Sequence, residues 1–159
     1  MIKEAKDLLM AILAAHPAEG LALTRIVRTG VDEKKAVTAR EYPFAALVTS
    51  QGGFENVARR SAFRDPDKGV VVKRYVRGLR TLPVTVRVWT RTEEEADALV
   101  DAFLPWIPTR WTYDGIDGQV VIKRLDASDF ASAMSGQYVA AVLVEFSVEV
   151  ALPGDAMPQ

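Results

Sequence analysis

Basic side chains are concentrated in one stretch of the sequence. Residues 59–91 hold ten of the twenty lysines and arginines and only two acids, which gives this stretch a net charge of +8. Residues 92–159 hold three basic residues and twelve acids, a net charge of −9, and residues 1–58 are neutral. Clustered charges of this kind bind phosphates, carboxylates or oppositely charged protein surfaces. The pattern therefore predicts contact with other macromolecules, a second copy of the chain included, and does not indicate a reaction.

Three interpretations of the basic stretch are open. It can be a solvated sheet face whose positive charge prevents unwanted edge pairing. It can bind nucleic acid, with Tyr75 and Trp89 stacking on bases, although the isoelectric point near 5.9 and the lack of a known binding motif disfavour this. It can also be a protein interface that meets the acidic half of a neighbouring copy, head to tail. We favour the third; a small cytoplasmic module that binds nucleic acid or a ligand as a monomer or dimer is the alternative.

Groups that could carry catalysis are few. His16 is the only histidine, and there is no cysteine to act as its partner or as a nucleophile. The sequence contains no nucleophile elbow, Walker motif or dinucleotide fingerprint. We therefore expect no enzyme activity, no catalytic residues and no cofactor.

Aspartates spaced by three residues are the one pattern that suggests a metal ion. They form two pairs, and carboxylate oxygens are the ligands that Ca²⁺ and Mg²⁺ prefer. The segment Asp-Gly-Ile-Asp-Gly is more typical of a hairpin turn, in which Asp and Gly adopt positive φ. We therefore expect no metal site at Asp114, Asp117, Asp126 and Asp129.

Composition is that of one folded domain. The chain has 159 residues and 49% apolar residues, enough for a core. Its first residues do not have the pattern of a secretory signal, and no apolar stretch reaches the roughly 18 residues of a membrane span. We expect residues 1–159 to form a single domain that has no membrane partner.

Hydrophobic periodicity predicts an α+β fold. We expect a mostly antiparallel β-sheet with a long hairpin, covered on one face by helices. Residues 30–40 are polar and predict a loop, and residues 153–159 predict a flexible tail. The predicted helices span residues 2–15 and 93–104, and the predicted strands span residues 42–49, 70–77, 82–91, 119–125 and 137–152.

The predicted hairpin contains most of the basic residues of interest. Its two strands flank a turn at residues 78–80, and the whole unit, residues 68–91, is expected to protrude from the sheet. This prediction places Arg77 and Arg80 near the tip and Arg74 and Arg87 along the body. Directly after it, Thr92 and Glu95 have the spacing of a capping box that begins a helix.

This order of elements resembles the tail terminator, or tail completion, proteins of tailed bacteriophages. An amphipathic helix at 2–15 is followed by a strand at 42–49 and a long β-hairpin at 70–91. A helix at 93–104 and closing strands at 119–125 and 137–152 complete the pattern. Residues 84–99, VTVRVWTRTEEEADAL, in which a strand leads straight into a capped helix, are the most similar stretch.

The resemblance implies a virion structural protein without catalysis. Members of this family form a homohexameric ring on the last layer of the tail tube, stop its growth and join it to the head connector in the neck. DNA passes through the channel, so transient contact with DNA is implied. From charge alone we expect a basic interface or lumen surface of Lys73, Arg74, Arg77, Arg80 and Arg87 and an acidic interface of Glu93, Glu94 and Asp97.

Overall fold

The computed structural model describes residues 1–64, 71–128 and 137–151, with side chains for 1–57, 75–126 and 137–151. The start of the predicted hairpin at 68–70, Asp129 and the tail expected at 153–159 lie outside the described residues. In the described part the helices are α1 (Ile2–Ala15), α2 (Gly30–Thr38) and α3 (Glu93–Phe103), with a 3₁₀ turn at Leu104–Trp106. The strands are β1 (Arg25–Val27), β2 (Phe44–Thr49), β3 (Gly53–Arg64), β4 (Val71–Thr90), β5 (Arg110–Tyr113), β6 (Ile116–Ser128) and β7 (Tyr138–Ala151).

The fold is mixed α+β with a mostly antiparallel, curled sheet, as the sequence predicts. The seven described strands form one sheet in the order β1-β2-β4-β7-β6-β5, and β3 pairs with β4 beside this path. Only β1 and β2 are parallel among these pairs. The prediction of a mostly antiparallel α+β protein is therefore confirmed.

Strand β4 is the longest element, with 20 residues. One of its edges pairs with β3 over Val71–Thr81 and then with β2 over Val84–Trp89. Its other edge pairs with β7, which ends at Ala151 opposite Val76. Beyond that point five residue pairs of β3 and β4, from Arg60↔Tyr75 to Arg64↔Val71, continue as a two-stranded ribbon about 17 Å long.

The predicted hairpin at 68–91 is wrong, because β4 runs without a break through residues 78–80. The actual hairpin pairs β3 with β4, so Arg77 and Arg80 lie within a strand and not at a tip. Gly78 does not form a turn; its lack of a side chain is needed because other atoms lie very close to it. A Cβ at this position would lie 2.5 Å from the carbonyl oxygen of Glu55 and 2.5 Å from the Phe54 ring. Glycine here allows the two strands and the ring to approach closely.

Helix α2 replaces the loop that the polar residues 30–40 predict. The side chain of Thr29 caps it by accepting a hydrogen bond from the Asp32 amide at 3.1 Å. Its inner side buries only Glu33 and Ala36. Because one of these two is an acid, the helix lacks the apolar stripe by which sequence analysis recognises helices.

Two groups of apolar side chains form the core. The larger joins α1 and α3 to alternate residues of the sheet, including Ala45 and Leu47 of β2. The smaller contains Ala36 of α2 with Phe44 and Ala46, which point to the opposite side of β2. The expectation that helices cover one face of the sheet is not confirmed, because α2 packs with the residues of this second side.

Local signals in the second half of the sequence give correct predictions. Helix α3 begins after Thr92, as the capping box predicts, and buries an apolar stripe. Strand β7 buries alternate side chains over nine residues, from Ala140 to Val148, as its period-two pattern predicts. The buried side chains on that face are Ala140, Val142, Val144, Phe146 and Val148.

Candidate interaction surfaces

The acidic residues singled out in the sequence meet at one cleft. It lies where α3 begins, beside the end of β6 and the start of β7, and has a volume of about 330 Å³. Carboxylates form its rim and apolar side chains form most of its walls. The rim is Glu93, Glu94 and Asp97, and the walls are Ala96, Val100, Leu125, Tyr138, Val139 and Ala140.

The capping residues fix this rim in place. Thr92 Oγ1 accepts a hydrogen bond from the Glu95 amide at 3.2 Å and donates one to the Glu95 carboxylate at 3.3 Å. Thr90 Oγ1 donates to the Thr92 carbonyl at 2.7 Å. Glu93 and Glu94 therefore lie in the first turn of α3, where the helix dipole favours negative charge.

The basic residues expected at an interface divide into two groups. Arg77 and Arg80 are exposed on β4. Lys73 and Arg74 lie in the ribbon at register positions opposite Ala62 and Ser61, and only their backbone is described. The ribbon also carries Arg60 and Arg64 of β3, and Arg59 lies one residue before it.

The exposed charges of Arg77, Arg80 and the rim acids have no salt-bridge partner in the described part of the chain. Among the side chains that the structure describes, neither the two exposed arginines of β4 nor the three rim acids of the α3 cleft form a salt bridge. Several other charged residues are paired, for example Asp7 with Arg28 at 2.6 Å and Arg25 with Glu41 at 3.1 Å.

Distance along β4 separates Arg77 and Arg80 from the acids at the start of α3. Arg80 and Arg77 precede Thr90, the last residue of β4, by ten and thirteen positions. At about 3.3 Å a residue this is roughly 33–43 Å, and the ribbon is farther still. Screening at physiological salt acts over about 8 Å, so attraction across this length of strand is weak within one molecule.

Arg87 differs from Arg77 and Arg80 because it forms a salt bridge with a described side chain. Its Nε and Nη2 atoms donate to Glu33 Oε2 and Oε1 at 2.8 and 2.9 Å. Trp89 Nε1 donates to Glu33 Oε2 at 2.9 Å. The Glu33 side chain is 9% exposed, so this contact anchors α2 to β4. The role of Glu33 could not be recognised from the sequence, since an acid in a polar segment gives no signal of burial.

His16 and the described aspartates that were considered as metal ligands make contacts of the kind that support the fold. The His16 ring stacks on Trp106, with centroids 4.1 Å apart. Asp114 and Gly115 have φ of 52° and 74°, as the predicted hairpin turn requires. Asp117 accepts a hydrogen bond from Thr112 at 3.3 Å. Within residues 1–64, 71–128 and 137–151 no group of acidic or histidine side chains has the arrangement of a metal site.

Shifted pKa values occur around α1 and β2, away from both charged surfaces. A hydrogen bond from Arg28 lowers the pKa of Asp7, with a smaller opposing effect of burial. Burial lowers the pKa of Lys6, whose Nζ donates to the Arg28 carbonyl. Burial also raises the pKa of Tyr42. These groups lie in and beside α1, β1 and β2.

No family model matches the chain, and no curated protein matches its sequence. None of the described helices has the length and apolar character needed to cross a lipid bilayer. The charged surfaces of the molecule are therefore the main basis for assigning a function.

Proposed function

We propose that this chain is a non-enzymatic structural protein that assembles head to tail with copies of itself into a ring. One observation carries the proposal. Exposed arginines of β4 and exposed carboxylates at the start of α3, none of which forms a salt bridge with a described side chain, are separated by roughly 33–43 Å along the length of β4.

Separated charges of opposite sign favour a particular geometry of association. The positive surface of one copy attracts the negative surface of the next, and the contact uses two different surfaces of the chain. Contacts of this heterologous type close into a ring when the rotation between subunits allows it. The charges set orientation and partner choice, while apolar contacts supply most of the affinity.

We further propose that the ring is a phage tail terminator located in the virion neck and assembled in the host cytoplasm. The first helix, long basic β-hairpin, capped helix and closing strands support this, because they follow the order of elements in that family. In this role the ring, a hexamer, caps the tail tube, meets the head connector, and passes DNA through its channel. The basic ribbon then contacts a neighbouring protein or the DNA.

Charge reversal on either surface tests the proposal. The variant Arg77→Glu with Arg80→Glu makes both surfaces negative, and the variant Glu93→Lys, Glu94→Lys and Asp97→Lys makes both positive. All five side chains are exposed, so we expect both variants to fold and to remain monomeric in native mass spectrometry. Unchanged oligomer mass in either variant would contradict the proposal.

Mixing the two variants gives a sharper result. A negative copy can contact only positive copies on both sides, so an equimolar mixture is expected to form rings of strictly alternating subunits. Such rings contain an even number of chains, as a hexamer does. A mixture in which each variant stays monomeric would argue against a head-to-tail contact. If instead the native chain is a monomer that binds DNA at physiological salt, the nucleic-acid-binding alternative is favoured.

A further inference from the structure

Phe54 and Arg80 are cross-strand neighbours that share an exposed cleft. They are directly opposite each other in the register of β3 and β4. Phe54 is 50% exposed, and Ile2, which lines the same cleft, is 46% exposed. Two large exposed apolar side chains lie beside Arg80, which forms no salt bridge with any side chain that the structure describes, and this is the composition of an interface centre with a charged margin.

The Phe54 ring is held in place by the backbone of β4. A Cβ on Gly78 would lie 2.5 and 2.9 Å from two carbon atoms of this ring. The ring therefore rests directly on the strand, which limits its freedom before any partner arrives. Pre-ordered aromatic side chains lose little entropy on binding and are frequent energetic centres of interfaces.

The cleft beside α3 has the size and lining to receive such a ring. Its volume of about 330 Å³ exceeds the roughly 150 Å³ of a cavity that holds benzene. Its lining is apolar at Ala96, Val100 and Ala140, and Leu125, which is 49% exposed, supplies accessible apolar surface. The rim carboxylates would then lie beside the arginine that accompanies the ring.

We propose that Phe54 of one copy inserts into the cleft between α3 and β7 of the next copy. Arg80 of the first copy then pairs with Glu93, Glu94 or Asp97 of the second. This inference rests on the proposed head-to-tail assembly and identifies its apolar contact. The occupant is a second copy because the chain itself carries both the aromatic side chain with its arginine and the acid-rimmed cleft.

Truncation of the ring tests its contribution to binding. Phe54→Ala is expected to weaken association between subunits and so raise their dissociation constant roughly 30-fold or more. This effect is typical of an aromatic interface centre. Val31→Ala is the matched control, because Val31 is an apolar side chain of α2 that is 65% exposed. It is expected to change the dissociation constant less than threefold. Equal effects of the two variants would overturn the inference.

Photocross-linking tests the location without removing the ring. With p-benzoylphenylalanine at position 54, irradiation is expected to join one copy to residues 93–100, 125 or 138–140 of another. Cross-links confined to other segments would overturn the inference.

The two proposals fail in different ways. If charge reversal abolishes assembly while Phe54→Ala leaves the dissociation constant unchanged, the head-to-tail proposal stands and the Phe54 contact is wrong. If the native chain never self-associates, both are wrong.

Discussion

Arg87 and Glu33 form a two-point salt bridge between β4 and α2, with N–O distances of 2.8 and 2.9 Å. The same carboxylate accepts a third hydrogen bond from Trp89. Planar guanidinium and carboxylate groups match each other well in this geometry. Arg87 therefore holds the fold together, whereas Arg77 and Arg80 of the same strand are exposed and lack a salt bridge among the described side chains.

We expect Glu33→Gln to lower the free energy of unfolding by about 1–3 kcal/mol, because Arg87 loses its charged acceptor. Urea denaturation measures this change. Glu41→Gln removes the more exposed pair with Arg25 and should cost less than about 1 kcal/mol. A loss of subunit association in folded Glu33→Gln would show that this salt bridge has a role at the interface.

The contrast between α2 and α3 shows which parts of this fold can be read from sequence. Helix α3 has a capping box and an apolar stripe, both of which are local patterns. Helix α2 is held instead by an acid whose partners, Arg87 and Trp89, are 54 and 56 residues away. Such a long-range polar contact has no local signature, so the segment is read as a loop.

The course of β3 and β4 could not be predicted for a related reason. A register shift between Asn56 and Arg59 interrupts the alternation of β3, and another between Val76 and Gly78 interrupts that of β4. Gly78 then resembles a turn residue, although its role is close strand contact. The position of Glu93, Glu94 and Asp97 in a helix was easier to predict, because the capping box marks the start of α3 in the sequence.

Two glycine substitutions are expected to differ sharply in their effect on stability. A Cβ on Gly118 would lie 2.1 Å from the Ser147 carbonyl oxygen and 2.5 Å from Trp111 Nε1, which donates to that oxygen. Gly118→Ala should therefore cost about 2 kcal/mol or more and change tryptophan fluorescence. Gly30→Ala in α2 meets no atom within 4 Å and should be neutral or stabilise by up to about 1 kcal/mol. Thermal unfolding compares the two, and equal midpoints would contradict the predicted packing at Gly118.

The side chain at position 92 is expected to stabilise α3 only when it can accept a hydrogen bond from the Glu95 amide. Thr92→Ala removes the acceptor for the Glu95 amide and should cost about 1 kcal/mol. Thr92→Asp retains an acceptor and should remain close to the native stability. Chemical denaturation of both variants checks this, and an unaffected Thr92→Ala would mean that the cap contributes little.

Acid should weaken the fold partly through Asp7. The hydrogen bond from Arg28 lowers the pKa of Asp7 in the folded chain, so the ionised form is favoured by folding. This contribution is fully present above the ordinary carboxylate pKa and is lost as the pH falls toward the lowered value. Asp7→Asn should flatten the decline of stability in this acidic range. Asp101→Asn, at an exposed acid of α3, is the control, and identical pH profiles for the native chain and Asp7→Asn would contradict the assignment.

Mass in solution tests the central claim most directly. Native mass spectrometry of the unmodified chain at low ionic strength is expected to give about six times the chain mass of 17.5 kDa, with dissociation toward single chains as salt rises. A mass of one chain at every protein and salt concentration would contradict assembly through oppositely charged ends.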